Sequence, residues 1–254
     1  MMIKSINETP ENQLNNKYLI NRPNIFGRLI AVEGNDGVGK TTQIEHLSKS
    51  IKERLGVEVF VLKFNASQIT HEAISKGKAS NYGVYTNTLI HAASLTDQIE
   101  RIAYPILERG GVVIADRYIY SLIARGVVRG ANIKILTEML SFLPQPELIL
   151  YFDLDPSKAL ERRQNRDARE ITYWEAGCDC FSYRSIEENF LEFQSQVRKQ
   201  FLNFKNSPGF HILNADQSIQ DLHYCVLNKI NNSIKLQHGQ GYRMQEVKVK
   251  YDNK

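Results

Sequence analysis

Eight consecutive residues constrain this chain most: Gly34-Asn35-Asp36-Gly37-Val38-Gly39-Lys40-Thr41. They complete the pattern GxxxxGK[ST]. An apolar run, Arg28 to Glu33, leads into them. A stretch with helical spacing, Lys40 to Leu55, leads out, with Ile44, Leu47, Ile51 and Leu55 on one face. Strand, glycine-rich turn and helix in that order make a phosphate cradle. The glycines let the backbone curl, so that successive N–H groups point at phosphate oxygens. The helix N-terminus adds its partial positive charge. Lys40 is expected to reach the β- and γ-phosphates of ATP, and the Thr41 hydroxyl to ligate Mg²⁺. Gly34, Asn35, Asp36, Gly37, Val38, Gly39 and Thr42 make up the rest of the nucleotide loop. GTPases, motor ATPases and small-molecule kinases all use such a loop, so other residues must choose between them.

Around the loop, apolar strands alternate with helices. Val57 to Leu62, Gly111 to Ala115, Leu148 to Leu154 and Phe210 to Leu213 read as four more strands. Asn87 to Leu107 reads as a long helix interrupted late by Pro105. Asp155 and Pro156 start another, in an N-cap and N1-proline arrangement. Ser218 to Ile230 is the last. Strands joined through helices require crossover connections. The prediction is an α/β fold of P-loop NTPase type, a three-layer sandwich with a five-stranded parallel sheet and helices on both faces. The 42% hydrophobic content of 254 residues suffices for one such core. Residues 1–25 read as a polar leader, 26–235 as the P-loop domain and 236–254 as a polar tail.

The net charge of +4 gives no dense basic face of the kind nucleic-acid binders carry. No run approaches the ~18 apolar residues of a membrane span, and residues 1–24 hold no apolar signal core. Cys178, Cys180 and Cys225 lack zinc spacing and read as reduced thiols. The expectation is a cytoplasmic protein without membrane or nucleic-acid partners.

The third strand runs into Asp116-Arg117-Tyr118. Ligands of open parallel sheets bind beyond the carboxyl ends of the strands, so these side chains face the crevice that holds the phosphate loop. The planar fork of Arg117 suits an acceptor phosphate. Asp116 is expected to hold Mg²⁺ through water or to orient the acceptor. Downstream, Arg163, Arg166 and Arg169 fall in an arginine-rich helix end and loop, a lid of about 163–181. Positive charge carried on such a segment would neutralise a moving phosphoryl group and exclude water. Ile171 to Phe181 is more apolar than a simple lid requires and is expected to pack on the body or on a partner, Trp174 included.

Together, EGNDGVGKTTQ, then RGGVVIADRYIYS, then PELILYFDLDPSKALERR resemble the thymidylate kinase family over roughly residues 28–232. That resemblance implies a homodimeric nucleoside monophosphate kinase using MgATP. It implies that Asp36 meets the 3′-hydroxyl of the acceptor sugar and that Arg117 binds the acceptor phosphate. Ser121 falls in the same acceptor group. Some members of the family carry a catalytic arginine in the phosphate loop and others carry basic lid residues; this chain looks like the second kind. It departs from the pattern at the acceptor base. His91 and Leu95 stand where the family has a stacking phenylalanine and a base-reading arginine. Arg125 and Gly126 stand where it has an aromatic and a polar residue. Lys63 precedes a stretch that lacks the family's phosphate-binding arginine. Phosphorylation of dTMP to dTDP is the leading expectation. Kinase action on a different nucleotide or phosphorylated metabolite, or a catalytically silent nucleotide-binding regulator, are the alternatives.

Overall fold

The computed structural model describes residues 26–166, 170–181 and 185–233. In chain order they form β1 (Arg28–Gly34), α1 (Lys40–Leu55), β2 (Val59–Lys63), a 3₁₀ turn (Gln68–Thr70), α2 (His71–Ser80) and α3 (Val84–Gln98). A π-helical turn (Ile99–Ala103) joins α3 to α4 (Tyr104–Glu108). Then come β3 (Val112–Asp116), α5 (Ile119–Val128), α6 (Ile133–Met139), β4 (Leu148–Asp153), α7 (Pro156–Arg166), α8 (Ile186–Asn203), β5 (Phe210–Asn214) and α9 (Ile219–Ser233).

The five strands are parallel and ordered β2-β3-β1-β4-β5. β1 is central, with Arg28 opposite Val112 on one side and Ile30 opposite Leu148 on the other. Side chains alternate across a pleated strand, and here both faces are apolar. Leu29, Ala31, Val113, Ala115, Ile149 and Tyr151 point toward α3, α5 and α8. Ile30, Val32, Ile114, Leu148, Leu150 and Phe152 point toward α1 and α9. This is the three-layer α/β arrangement expected from the sequence. Arg198 of α8 clamps the end of β4 through a two-pronged contact with Asp153, at 2.6 and 2.8 Å.

The long helix differs from its expected form. It begins earlier, at Val84, and widens into the π turn ahead of Pro105. Proline has no N–H to give the carbonyl four residues back, and the wider turn accommodates the break. Asp155 caps α7 as anticipated: its side chain accepts from the Ser157 N–H at 2.9 Å, with Pro156 first in the helix. The helices α2, α5, α6 and α8 are additions to the sequence reading. No helix among the described residues is long and apolar enough to cross a membrane.

Candidate active site

β1 delivers the phosphate loop at the carboxyl edge of the sheet. Gly37 takes φ +86°, and a Cβ placed there would lie 2.6 Å from the Ala159 carbonyl oxygen. Only glycine fits that close approach with a left-handed backbone. The N-terminus of α1 at Gly39 has no side-chain cap, which leaves its dipole facing the loop. Val38 is buried against the α1 face, and Thr42 is half-buried on the first turn. Asn35 is almost wholly buried and donates from Nδ2 to the Gln194 carbonyl at 2.7 Å. Lys40 curls back within the loop, its Nζ donating to the Asn35 carbonyl at 2.7 Å. Burial and the nearby charge of Arg117 push the Lys40 ammonium down to about 7, against the pull of Asp36 and Asp116.

Thr41 and Asp116 line one cavity of about 550 Å³, together with Lys63 and the outer side of α1. A hydroxyl and a carboxylate beside a phosphate cradle are hard oxygen donors of the kind Mg²⁺ takes. The residues present therefore fit that ion.

On the acceptor side, Asp36 is held by two arginines. Arg117 pairs with Oδ1, and Arg125 reaches Oδ2 at 2.6 Å. Burial alone would raise the Asp36 carboxyl, but Arg117, Arg125 and Lys40 hold it well below the usual range. Arg117 also donates to the Gly34 carbonyl at 2.7 Å, and its own backbone is left-handed at φ +70°. Such strain in a non-glycine residue needs local support, and Glu33 provides it. Glu33 is fully buried. It accepts from the Tyr118 N–H at 2.9 Å, the Ser121 N–H at 3.3 Å and the Ser121 hydroxyl at 2.5 Å. These bonds fix the turn that carries Arg117 and anchor the start of α5. Burial drives the Glu33 carboxyl up to about 7, against hydrogen bonds from Ser121 and the charge of Arg117. Glu33 closes an apolar strand run, and nothing beside it in the sequence marks this role.

Two expected acceptor residues are buried. Ser121 has no exposed surface; its hydroxyl donates to Glu33 and accepts from Arg117 at 3.4 Å, so it backs the acceptor-side arginine. Leu95 also has no exposed surface, and packs in the apolar cluster beneath α3. Helical spacing points it at the sheet, so it is a core residue and not a pocket wall. His91 is nearly buried. Its ring stacks on Phe64 with centroids 5.1 Å apart, and its Nδ1 donates to Asn65 Oδ1 at 2.7 Å. Lys63 is exposed at the end of β2, and its carbonyl accepts from Gln98 Nε2 at 2.9 Å.

Arg163 lies on α7 and pairs with Glu175 at 2.7 Å. Arg166 ends α7, but its side chain lies outside the described residues, as does all of Arg169. Residues 170–181 fold as turns against the body. Ala176 is buried, and Gly177 abuts the Phe193 ring. Arg129 stacks over Phe193 at 4.5 Å and over Trp174 at 5.8 Å, and pairs with Asp179. Trp174 is thus a packing residue here. Cys178, Cys180 and Cys225 are free thiols, and burial lifts Cys180 to about 11. Gln194, absent from the sequence reading, touches both Asp36 and residue 175.

A cradle for a nucleoside triphosphate thus faces, across the single carboxylate of Asp36, a pair of arginines that a second anion can claim. Two anion sites sharing one crevice suit phosphoryl transfer between two bound molecules better than hydrolysis, and this fold and site define a P-loop kinase. Comparison with known proteins narrows the class: a family model described as Thymidylate kinase matches residues 32–226, and the chain belongs to that family. A probable thymidylate kinase 2 of Saccharolobus solfataricus is 34% identical over 77% of this chain and 92% of its own length. A probable thymidylate kinase of Pyrococcus horikoshii is 29% identical over 82% and 98%. A thymidylate kinase of Caldanaerobacter subterraneus is 26% identical over 82% and 97%.

Proposed function

We propose that this protein moves the γ-phosphate of ATP onto thymidine monophosphate, giving ADP and thymidine diphosphate. The observation that carries the reading is the pairing of Asp36 with Arg117 and Arg125 directly beside the phosphate loop. ATP lies with its phosphates along Gly34 to Thr42, and Lys40 exchanges the Asn35 carbonyl for phosphate oxygens. Thr41 and Asp116 would hold Mg²⁺, which would supply neutralising charge for the phosphoryl group. Arg117 turns from Asp36 to the acceptor phosphate, with Arg125 beside it. Asp36, released, accepts from the sugar hydroxyl. An oxygen of the acceptor phosphate attacks the γ-phosphorus, and the bond to the β,γ-bridging oxygen breaks. The attacking oxygen is already anionic, so no strong general base is required. Arg163, with Arg166 and Arg169 from the same segment, neutralises the phosphoryl group in flight. The family resemblance extends the reading to a homodimer, and the reduced thiols fit a cytoplasmic one.

Coupled ADP release with MgATP against a panel of deoxy- and ribonucleoside monophosphates tests this. Fastest turnover is expected with thymidine monophosphate, and Lys40→Ala is expected to lose at least about a thousand-fold in kcat/KM. No turnover with thymidine monophosphate, or faster turnover with another monophosphate, overturns the assignment, as does an unimpaired Lys40→Ala.

A further inference from the structure

Gln194 sits in the middle of α8, with no exposed surface, on a buried face made mostly of Phe190, Phe193, Val197 and Phe201, with Asn189 at its edge. A methionine or leucine would fill such a position without polar atoms to satisfy. The amide instead makes two bonds that join distant parts of the site. Its Nε2 donates to Asp36 Oδ2 at 3.1 Å and to the Glu175 carbonyl at 2.9 Å. Both amide hydrogens are therefore engaged. Flipping the group would set its oxygen against a carboxylate and a carbonyl, so the orientation is fixed. Oε1 is left buried without a hydrogen-bond partner among the described residues. The backbone carbonyl of the same residue holds Asn35 of the phosphate loop.

Each end of this bridge leads to charge. Asp36 leads to Arg117 and Arg125, and Glu175 leads through its carboxylate to Arg163. Arg129 also holds the 170–181 segment, through Trp174 and Asp179, but those contacts stop short of the phosphate loop. We infer that Gln194 is a positioning residue that ties the docked segment 170–181 to Asp36, so that the acceptor side of the site is set by that segment. The inference rests on the kinase reading and adds a residue to it. The Gln194 side chain touches the loop only at the Asp36 carboxylate, and Gln194→Met keeps the backbone carbonyl that holds Asn35, so the loop backbone and Lys40 that grip ATP stay in place. Loss of the bridge should therefore weaken handling of the acceptor and leave handling of ATP nearly unchanged.

Two variants of the full chain test it, Gln194→Met and Gln194→Glu. Trp174 is the sole tryptophan and neighbours Glu175, so its quenching by acrylamide reports on the segment without any substrate. With Gln194→Met, Trp174 should become more accessible. The kcat/KM for thymidine monophosphate should fall about ten-fold or more, with KM for ATP within about two-fold of wild type. With Gln194→Glu the loss should be deeper above neutral pH and partly recovered at lower pH, where the introduced carboxylate takes up a proton beside Asp36. A merely structural side chain would impair the handling of both substrates alike. In the unaltered protein, thymidine monophosphate alone should change amide hydrogen exchange at residues 172–178. Equal effects on both substrates, an unchanged Trp174 signal, or exchange at residues 172–178 indifferent to the acceptor would each overturn the inference. If the wild type turns over a different monophosphate, the function assignment fails by itself; the quenching comparison still decides the bridge.

Discussion

Lys40 is a cation kept among cations, and that has a measurable consequence. Its resting value near 7 lies well below the ordinary 10.5, because burial and Arg117 disfavour the charge. Triphosphate oxygens in place of the Asn35 carbonyl favour it. Between those two values the nucleotide-bound protein holds more protons than the empty one, so binding takes up protons from the buffer. Calorimetry of ATP binding at roughly pH 8.5, in buffers of different ionisation enthalpy, should show uptake approaching one proton. Lys40→Met should abolish it, and a buffer-independent enthalpy in the wild type would contradict the resting state described. Residues of this kind are legible from spacing: Lys40, Thr41, Asp116 and Arg117 are all placed by motifs a few residues long. Glu33 and Gln194 are not, since their partners lie 85 and 158 residues away in the chain. A lone glutamate in an apolar strand, or a glutamine in a helix, gives no local sign of such a partner.

Among the elements, the phosphate loop and α7 are locked together at Gly37. Gly37→Ala meets both a left-handed backbone and the Ala159 carbonyl at 2.6 Å. It should destabilise by about 2–4 kcal/mol and raise KM for ATP. Gly56 ends α1 with φ +62° and open space around it. Gly56→Ala should cost only about 1 kcal/mol and leave KM unchanged. Thermal melting with ATP kinetics on both variants separates crowding from backbone strain; equal losses would mean that the α7 contact is not formed. The strands were legible because each is a short apolar run closed by glycine, proline or charge, and their ends moved by only a residue or two. Several helices were harder. α5 is a short apolar helix, and its start depends on Glu33, which accepts from the Tyr118 and Ser121 N–H groups. α8 did carry a signal: Phe190, Phe193, Val197 and Phe201 recur at helical intervals, behind a Ser185–Glu188 capping box. The π turn has only Pro105 as a local sign, and a proline marks a break without giving its form.

At the scale of the whole molecule, two buried groups shape stability against pH in opposite directions. Glu33 holds its proton up to about 7 in the folded state, above its ordinary 4.5. Its contribution is therefore full below 4.5 and is lost as pH rises through 7. Lys40, depressed to about 7, makes the unfolded chain the better proton binder above that value, so stability recovers toward 10.5. The pair predicts a minimum near neutral pH in the absence of nucleotide. Urea unfolding from about pH 5 to about pH 9 should show it, with a depth of order 2–3 kcal/mol on the acid side. Glu33→Gln should flatten the acid limb only, and a monotonic profile in the wild type would refute the assignment of both groups.

The strand order also imposes an order in time. β1 is made first, yet its neighbours β3 and β4 begin only at Val112 and Leu148. Asn35 waits longer still, for the helix carbonyl of Gln194. On a ribosome, the central strand of the sheet therefore stays without its flanking strands for on the order of ten seconds. For that interval the nascent protein is a ready client for chaperones that recognise extended apolar chain, and ATP cannot rescue it, because the cradle closes only after most of the message has been read.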